Sequence, residues 1–173
     1  MCMHTHGYQT GIDAPPDTVW AALSDFGGRR WKPKVVGARS ASDQTRGVGA
    51  AQLIDHLILK QFTVRATAWE EDERLTYTFE GLPPQIAAMA NTWSVSPAET
   101  GSHVVVCQEL ELDLGPAIEH VAFFVHTAAA EELVESIGGL KCHVETGDDV
   151  TSDFLQVAAT ELRERYTSTV KPA

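Results

Sequence analysis

"IDAPPDTVWAALSDFGGRRWKPKVV", Ile12 to Val36, is the stretch on which the fold turns. Asp13 is a helix-capping residue type, Pro15 and Pro16 suit a first turn, and Asp17 complements the positive end of the dipole. Val19, Trp20, Leu23 and Phe26 recur at three- and four-residue spacing and give one apolar face. Gly27 and Gly28 stop the helix, and "RRWKPKVV" predicts a second short helical turn. Upstream, "MHTHGYQTGI" reads as a strand. The chain therefore opens strand, helix, helix, before any further sheet.

Downstream, from about residue 38 to 114, the period changes to two. The runs "GARSASD", "GVGAAQLIDH", "KQFTVRATAWEED", "RLTYTFEG", "QIAAMANTWSVSP" and "SHVVVCQELELDLG" are separated mostly by turn signals such as "DQTRG", "GLPP" and "AETGS". Six strands in series argue for an antiparallel meander. "IDHLILKQF" needs a turn but holds no Gly, Pro or Asn, and its hairpin is placed near residues 57–60. Alternation puts Phe62, Val64, Ala66 and Ala68 on one side, and likewise Val104, Val106, Gln108, Leu110 and Leu112.

After Gly115 the period turns helical. "PAIEHVAFFVHTAAAEELVESIGGLKCHVE" carries an apolar stripe through Ala122, Ala129, Leu133, Ile137, Leu140 and Val144, with Gly138 and Gly139 expected to weaken or bend it. "VTSDFLQVAATELRERYTS" predicts a further amphipathic helix, with Phe154, Val157, Leu162 and Tyr166 as contacts.

The composition bounds the function. One domain is expected of 173 residues, and a net charge of −11 disfavours nucleic acid and anionic membrane surfaces. Cys2, Cys107 and Cys142 are odd in number and widely spaced, which fits a reducing compartment. With no apolar run long enough to span a bilayer and no secretory leader in "MCMHTHGYQT", a cytoplasmic location is expected. Cys2, His4 and His6 alternate and have the chemistry of zinc ligands, but a frayed terminus is the stronger reading, and neither metal nor cofactor is expected. There is no P-loop, G-x-S-x-G or H-E-x-x-H. Asp55 and His56 are adjacent, so a strand points them to opposite faces, against a relay between them.

The order of elements, with "IDAPPDTVWAALSDFGGRRWKPKVV", "GVGAAQLID", "ATAWEEDERLTYTFEG", "NTWSVSP" and "GGLKCHVE", resembles the SRPBCC superfamily, which includes START domains, pollen-allergen-like proteins and polyketide cyclases. The resemblance implies an α+β helix-grip fold. A curved antiparallel sheet of about seven strands would wrap a long C-terminal helix, with two short helices after the first strand. Residues 1–146 would be that domain, and 147–173 a helical extension packed on or near it. The first helices would plug one end of an internal cavity, with Trp31 near the plug.

Projected onto that fold, the inward wall comprises Gln52, Ile54, Phe62, Val64, Tyr77, Phe79, Met89, Asn91, Trp93, Gln108 and Leu110, with His126 from the helix. Inward amides in a dry core would each cost roughly 1–3 kcal/mol unsatisfied, so they fit better facing ligand or water. The resemblance implies a polyketide cyclase/dehydrase-like protein that takes a hydrophobic oxygenated metabolite and promotes cyclisation or dehydration. His126 would be the base and Tyr77 the oxygen-polarising donor. Family members often carry Arg or an acidic residue where Gln52 and Val64 stand here, and that departure keeps a non-catalytic carrier, sensor or sequestration protein as the alternative. Arg29, Arg30, Lys32 and Lys34 form a basic run, read as a solvated face. It makes an acyl carrier protein a candidate partner. The loops at "LILK" and "GLPP" are candidate gates.

Overall fold

The computed structural model describes residues 2–26, 30–115, 119–150 and 160–173. β1 (Cys2–Ile12) leads into α1 (Pro16–Leu23), and a meander follows: β2 (Val35–Ser40), β3 (Ala51–His56), β4 (Lys60–Glu70), β5 (Arg74–Glu80), β6 (Ile86–Pro97) and β7 (Ser102–Leu112). The long helix α2 (Glu119–Thr146) comes next, then α3 (Thr160–Thr167) and a two-residue β8 (Lys171–Pro172). All strands join one antiparallel sheet in the order β2-β3-β4-β5-β6-β7-β1-β8, bent around α2. This is the helix-grip fold, with an eighth strand added at the edge.

Local chemistry explains most of the elements. Pro16 opens α1 at a position where its missing N–H costs nothing, and Val19, Trp20 and Leu23 bury its inner face. Asp13 does not cap this helix: the cap position is Pro15, and the Asp13 backbone N–H donates to Glu145 Oε1 of α2 at 2.9 Å. The expected second helix is absent among the described residues, where 30–34 are turn and coil. The N-terminus is not frayed, since β1 pairs with β7 from Cys2 to Ile12.

The β3–β4 hairpin turns at residues 57–59, as the sequence requires, without turn residues. His56 replaces them: its Nδ1 accepts the backbone N–H groups of Ile58 (3.2 Å) and Leu59 (3.1 Å), and Lys60 takes a left-handed φ of 62°. In β4 a bulge between Ala66 and Ala68 shifts the alternation by one residue. Trp69 therefore packs on the core and Ala68 does not join the Phe62–Val64–Ala66 face, contrary to the simple period-two reading.

α2 is one uninterrupted helix through both glycines. They serve close approach rather than bending. A Cβ at Gly139 would stand 2.3 Å from the Trp31 carbonyl oxygen, and one at Gly138 would stand 3.0 Å from Thr167 Cγ2. The C-terminal half of α2 thus sits tightly on the core through Leu133, Ile137 and Leu140. Beyond residue 147, Tyr166 packs with Cys142 and Val150, and the Ala173 N–H donates to Gly7 O at 3.0 Å beside β8. Of the contacts expected for this segment, Phe154 and Val157 lie outside the described residues, as does the side chain of Leu162.

Candidate functional site

Between the N-terminal half of α2 and the sheet lies a cavity of about 480 Å³. Its origin is a wedge. α2 is pulled onto the core at Gly138 and Gly139, while nearer its N-terminus Ala128 and Ala129 face the sheet with side chains too short to fill the gap. The floor is Phe62, Phe79, Met89, Asn91, Gln108 and Leu110 from β4 to β7. The β3–β4 turn contributes Ile58 and Leu59, and the β5–β6 loop contributes Pro83 and Gln85. Exposed Ile58 and Val121 mark the open side.

The polar groups gather at the inner end. Lys32, Lys34, Glu132 and Ser136 all face the cavity there. Glu132 Oε1 lies 3.2 Å from His56 Nε2. His56 Nδ1 accepts two backbone N–H groups, so Nε2 is the ring nitrogen left facing that carboxylate, without a well-aligned hydrogen bond between them. Burial pushes the Glu132 carboxyl up, but the adjacent His56 imidazole and the charges of Lys32 and Lys34 outweigh it and hold the group below the usual carboxylate range. The side chain is 31% accessible, and its contact is with the cavity. Lys34 Nζ pairs with Glu135 at 2.9 Å, and Arg163 of α3 reaches the same carboxylate at 3.0 Å. Lys32 is 9% exposed and holds its ammonium 5.7 Å from the Trp31 ring and 5.9 Å from the Tyr77 ring.

Asn91 and Gln108 are cross-strand partners on the floor, 2% and 5% exposed, and the carbonyl oxygens of both amides are buried without a hydrogen-bond partner. A core would not leave two such groups unsatisfied without reason. Here they border space that a ligand or water can fill.

Residues 3–145 match a protein family described as polyketide cyclase / dehydrase and lipid transport. The chain belongs to that family. It is thereby a member of the SRPBCC group and has a cyclase-like or ligand-binding role. No curated protein sequence matches it significantly. Among solved structures it resembles the Zhui aromatase/cyclase from Streptomyces sp. R1128, at 13% identity and a TM-score of 0.72, covering 91% of this chain and 98% of that one. It also resembles the di-domain aromatase/cyclase BexL of the BE-7585A biosynthetic pathway, at 16% identity and TM-score 0.70, covering 83% of this chain and 50% of that one. A third is Ara h 8.0201, at 16% identity and TM-score 0.63, covering 83% and 98%. At these identities the likeness is one of fold.

Within this cyclase/dehydrase and lipid transport fold, six of the residues expected on the wall do line the cavity: Phe62, Phe79, Met89, Asn91, Gln108 and Leu110. Ile54 and Val64 border a separate gap of about 10 Å³ beside His56 and Glu132, barely the size of one water. The remaining expected residues lie elsewhere. Gln52 is buried on β3 away from the cavity. Trp31 is core: its Nε1 donates to Ala22 O at 3.0 Å, and its ring meets Trp93 edge-on at 5.3 Å. Trp93 in turn donates from Nε1 to Tyr77 Oη at 3.1 Å, which places the phenol in a solid aromatic layer instead of on the wall. His126 is off the wall too. Its ring stacks edge-to-face on His4 (3.9 Å) and His6 (4.2 Å), where α2 crosses β1. Among the described residues no three His, Cys, Asp or Glu side chains are arranged to hold a metal ion, and no helix is long and apolar enough to cross a membrane.

The expected basic face is not formed by its described members. Arg30 lies 3.9 Å from Asp149, Lys34 is paired, and Lys32 turns inward. Arg29 lies outside the described residues. Sequence reasoning missed Lys32, His56 and Glu132 as a group. A signal existed: Val121, Val125, Ala128, Glu132 and Ser136 follow one another at three- and four-residue steps, a stripe beside the apolar one. Asp55 and His56 do point apart, and Asp55 bonds outward to Gln61 and Arg39. The partner of His56 comes from α2.

Proposed function

We propose that the protein binds a hydrophobic, oxygenated metabolite in this cavity and promotes its cyclisation or dehydration, with Glu132 as the proton acceptor and Lys32 as the electrostatic partner of the developing oxyanion. The observation that carries the reading is the cavity with the ionised Glu132 carboxylate and the Lys32 ammonium at one end. A volume of about 480 Å³ suits a small metabolite. A mostly apolar space of this size, left unfilled by side chains, supports a role in binding.

The chemistry follows from the groups present. Glu132, held ionised, takes a proton from the carbon between two carbonyls of the ligand. The electron pair moves onto the carbonyl oxygen, which Lys32 faces as an ammonium. The enolate carbon attacks a second carbonyl of the same chain, and the proton on Glu132 passes to the new alkoxide. A second proton abstraction expels hydroxide, which leaves as water once protonated. The Asn91 and Gln108 amides orient ligand oxygens, and orientation alone accelerates ring closure. A mostly apolar wall with few acid–base groups supports a second reading, a carrier or sensor that uses the same space.

The deciding assay follows cyclisation of a synthetic poly-β-ketone in the presence of purified protein, alongside its binding. Turnover above the buffer rate that Glu132→Gln abolishes is the expected result. Binding without acceleration would leave the carrier reading, and absence of binding would remove both.

A further inference from the structure

We infer that this cavity takes its ligand as an organic monoanion, an apolar body that carries one acidic group ionised before it binds, and that Lys32 is the residue that selects for the charge. The inference rests on the cavity being a ligand site, and it names the ligand's charge state.

A charge census at the inner end carries it. Three cations converge there: Lys32, Lys34 and Arg163. Two carboxylates face them, Glu132 and Glu135. Glu135 is shared between Lys34 and Arg163. Glu132 Oε1 lies 3.2 Å from His56 Nε2 and also feels the charge of Lys32. Three cations against two carboxylates leave one positive charge in excess at this end. Of the three cations, Lys32 is the one with no carboxylate within 4.0 Å among the described residues; Glu132 acts on it from farther away, and the Trp31 and Tyr77 rings stand 5.7 and 5.9 Å from its ammonium.

An ammonium that is 9% exposed with no carboxylate in direct contact is costly unless something completes it. The completing group must come from the cavity, because that is where Lys32 faces open space. The rest of the molecule argues against a general attraction for anions, since the chain carries a net charge of −11. The selection is local. It also fits the void's shape of demand: an apolar body against Phe62, Phe79, Met89 and Leu110, with one negative oxygen at the inner end.

Two probes of one skeleton test it: the anionic 1-anilinonaphthalene-8-sulfonate and the uncharged N-phenyl-1-naphthylamine, titrated by fluorescence into wild type, Lys32→Met and Lys32→Arg. The expected result is at least tenfold tighter binding of the anion by wild type. Lys32→Met should lose that preference while still binding the neutral probe, and Lys32→Arg should keep most of it. Equal affinities in wild type, or an undiminished anion preference in Lys32→Met, would overturn the inference while leaving the cavity intact. Should Lys32→Met lose both probes by misfolding, the wild-type ratio and Lys32→Arg decide: an anion preference in both supports the inference, and its absence from either overturns it. If wild type binds neither probe, the ligand-site reading falls, and this inference with it.

Discussion

Two clusters of titratable side chains lie between α2 and the sheet, about 9 Å apart along the helix by its rise per residue. One is Lys32, His56 and Glu132, at the inner end of the cavity. The other is His4, His6 and His126, where α2 crosses β1. Both contain histidine, and both are set among apolar neighbours. They differ in partners and access. In the first, a carboxylate, an ammonium and an imidazole of different charge stand together, and the cavity opens beside them. In the second, three like groups pack ring against ring, the Nε2 atoms of His4 and His6 are buried without a hydrogen-bond partner, and none of the three side chains lines the cavity. Catalytic usefulness comes from a stabilised charge with open space before it, and the residue type alone does not supply that.

The sharpest way to break the comparison is to disable each cluster in turn. Glu132→Gln should lower kcat/KM for ring closure by about 10²–10³-fold, the range for losing a positioned base, with ligand affinity changed only a few-fold. His126→Ala should leave turnover within about threefold, a small effect next to the loss of a positioned base. A reversed ranking in steady-state kinetics would move the chemistry to the histidines.

The next effect tests how the first cluster is assembled. Gly139 lets α2 touch the Trp31 carbonyl, next to Lys32. Gly139→Val should cost about 3 kcal/mol or more by overpacking, read as a drop in the urea midpoint. Tyr77→Phe is smaller. It leaves the buried Trp93 N–H without its acceptor, at about 1–2 kcal/mol, and should not slow turnover by more than a few-fold if the phenol is structural.

The smallest effect belongs to the histidine cluster. Burial, then the neighbouring His126, hold His4 and His6 below the ordinary 6.5, and His4 adds to the shift of His6. The unfolded chain therefore binds more protons than the folded one just below pH 6.5. The stability tied to these groups is complete above that pH and is lost as pH falls towards the depressed folded values. The urea midpoint should fall between pH 7 and pH 5, and His6→Phe should flatten that fall. Glu132 acts in a separate, more acidic window. Its folded value lies below the ordinary 4.5, so its contribution holds above that pH and fades as the pH falls through the depressed value.

Much of the architecture was legible in the chain. Pro16, Val19, Trp20 and Leu23 announced α1, period-two runs announced six strands of the meander, and the face of β7 was right at every expected position from Val104 to Leu112. The β4 face failed at Ala68 because a bulge has no signature in hydrophobic alternation. The cavity floor on β6 and β7 was also legible, since Met89, Asn91, Gln108 and Leu110 sit in register on one side of two paired strands. The polar end was not. Glu132 reads as one more surface carboxylate of "AEELVES", and Lys32 as one member of a basic run.

By itself the sequence determined which residues are strand, which are helix, and which side of each strand is apolar, because those follow from local periods of 2.0 and 3.6 residues. Only the tertiary structure decided where α2 stops short of the sheet, and that His56, Glu132 and Lys32 meet at the end of the resulting space. The reason is physical. Their encounter depends on the distance between two packed surfaces, set at Gly139 against the Trp31 carbonyl, and such a distance is a property of the pair of elements and of neither alone.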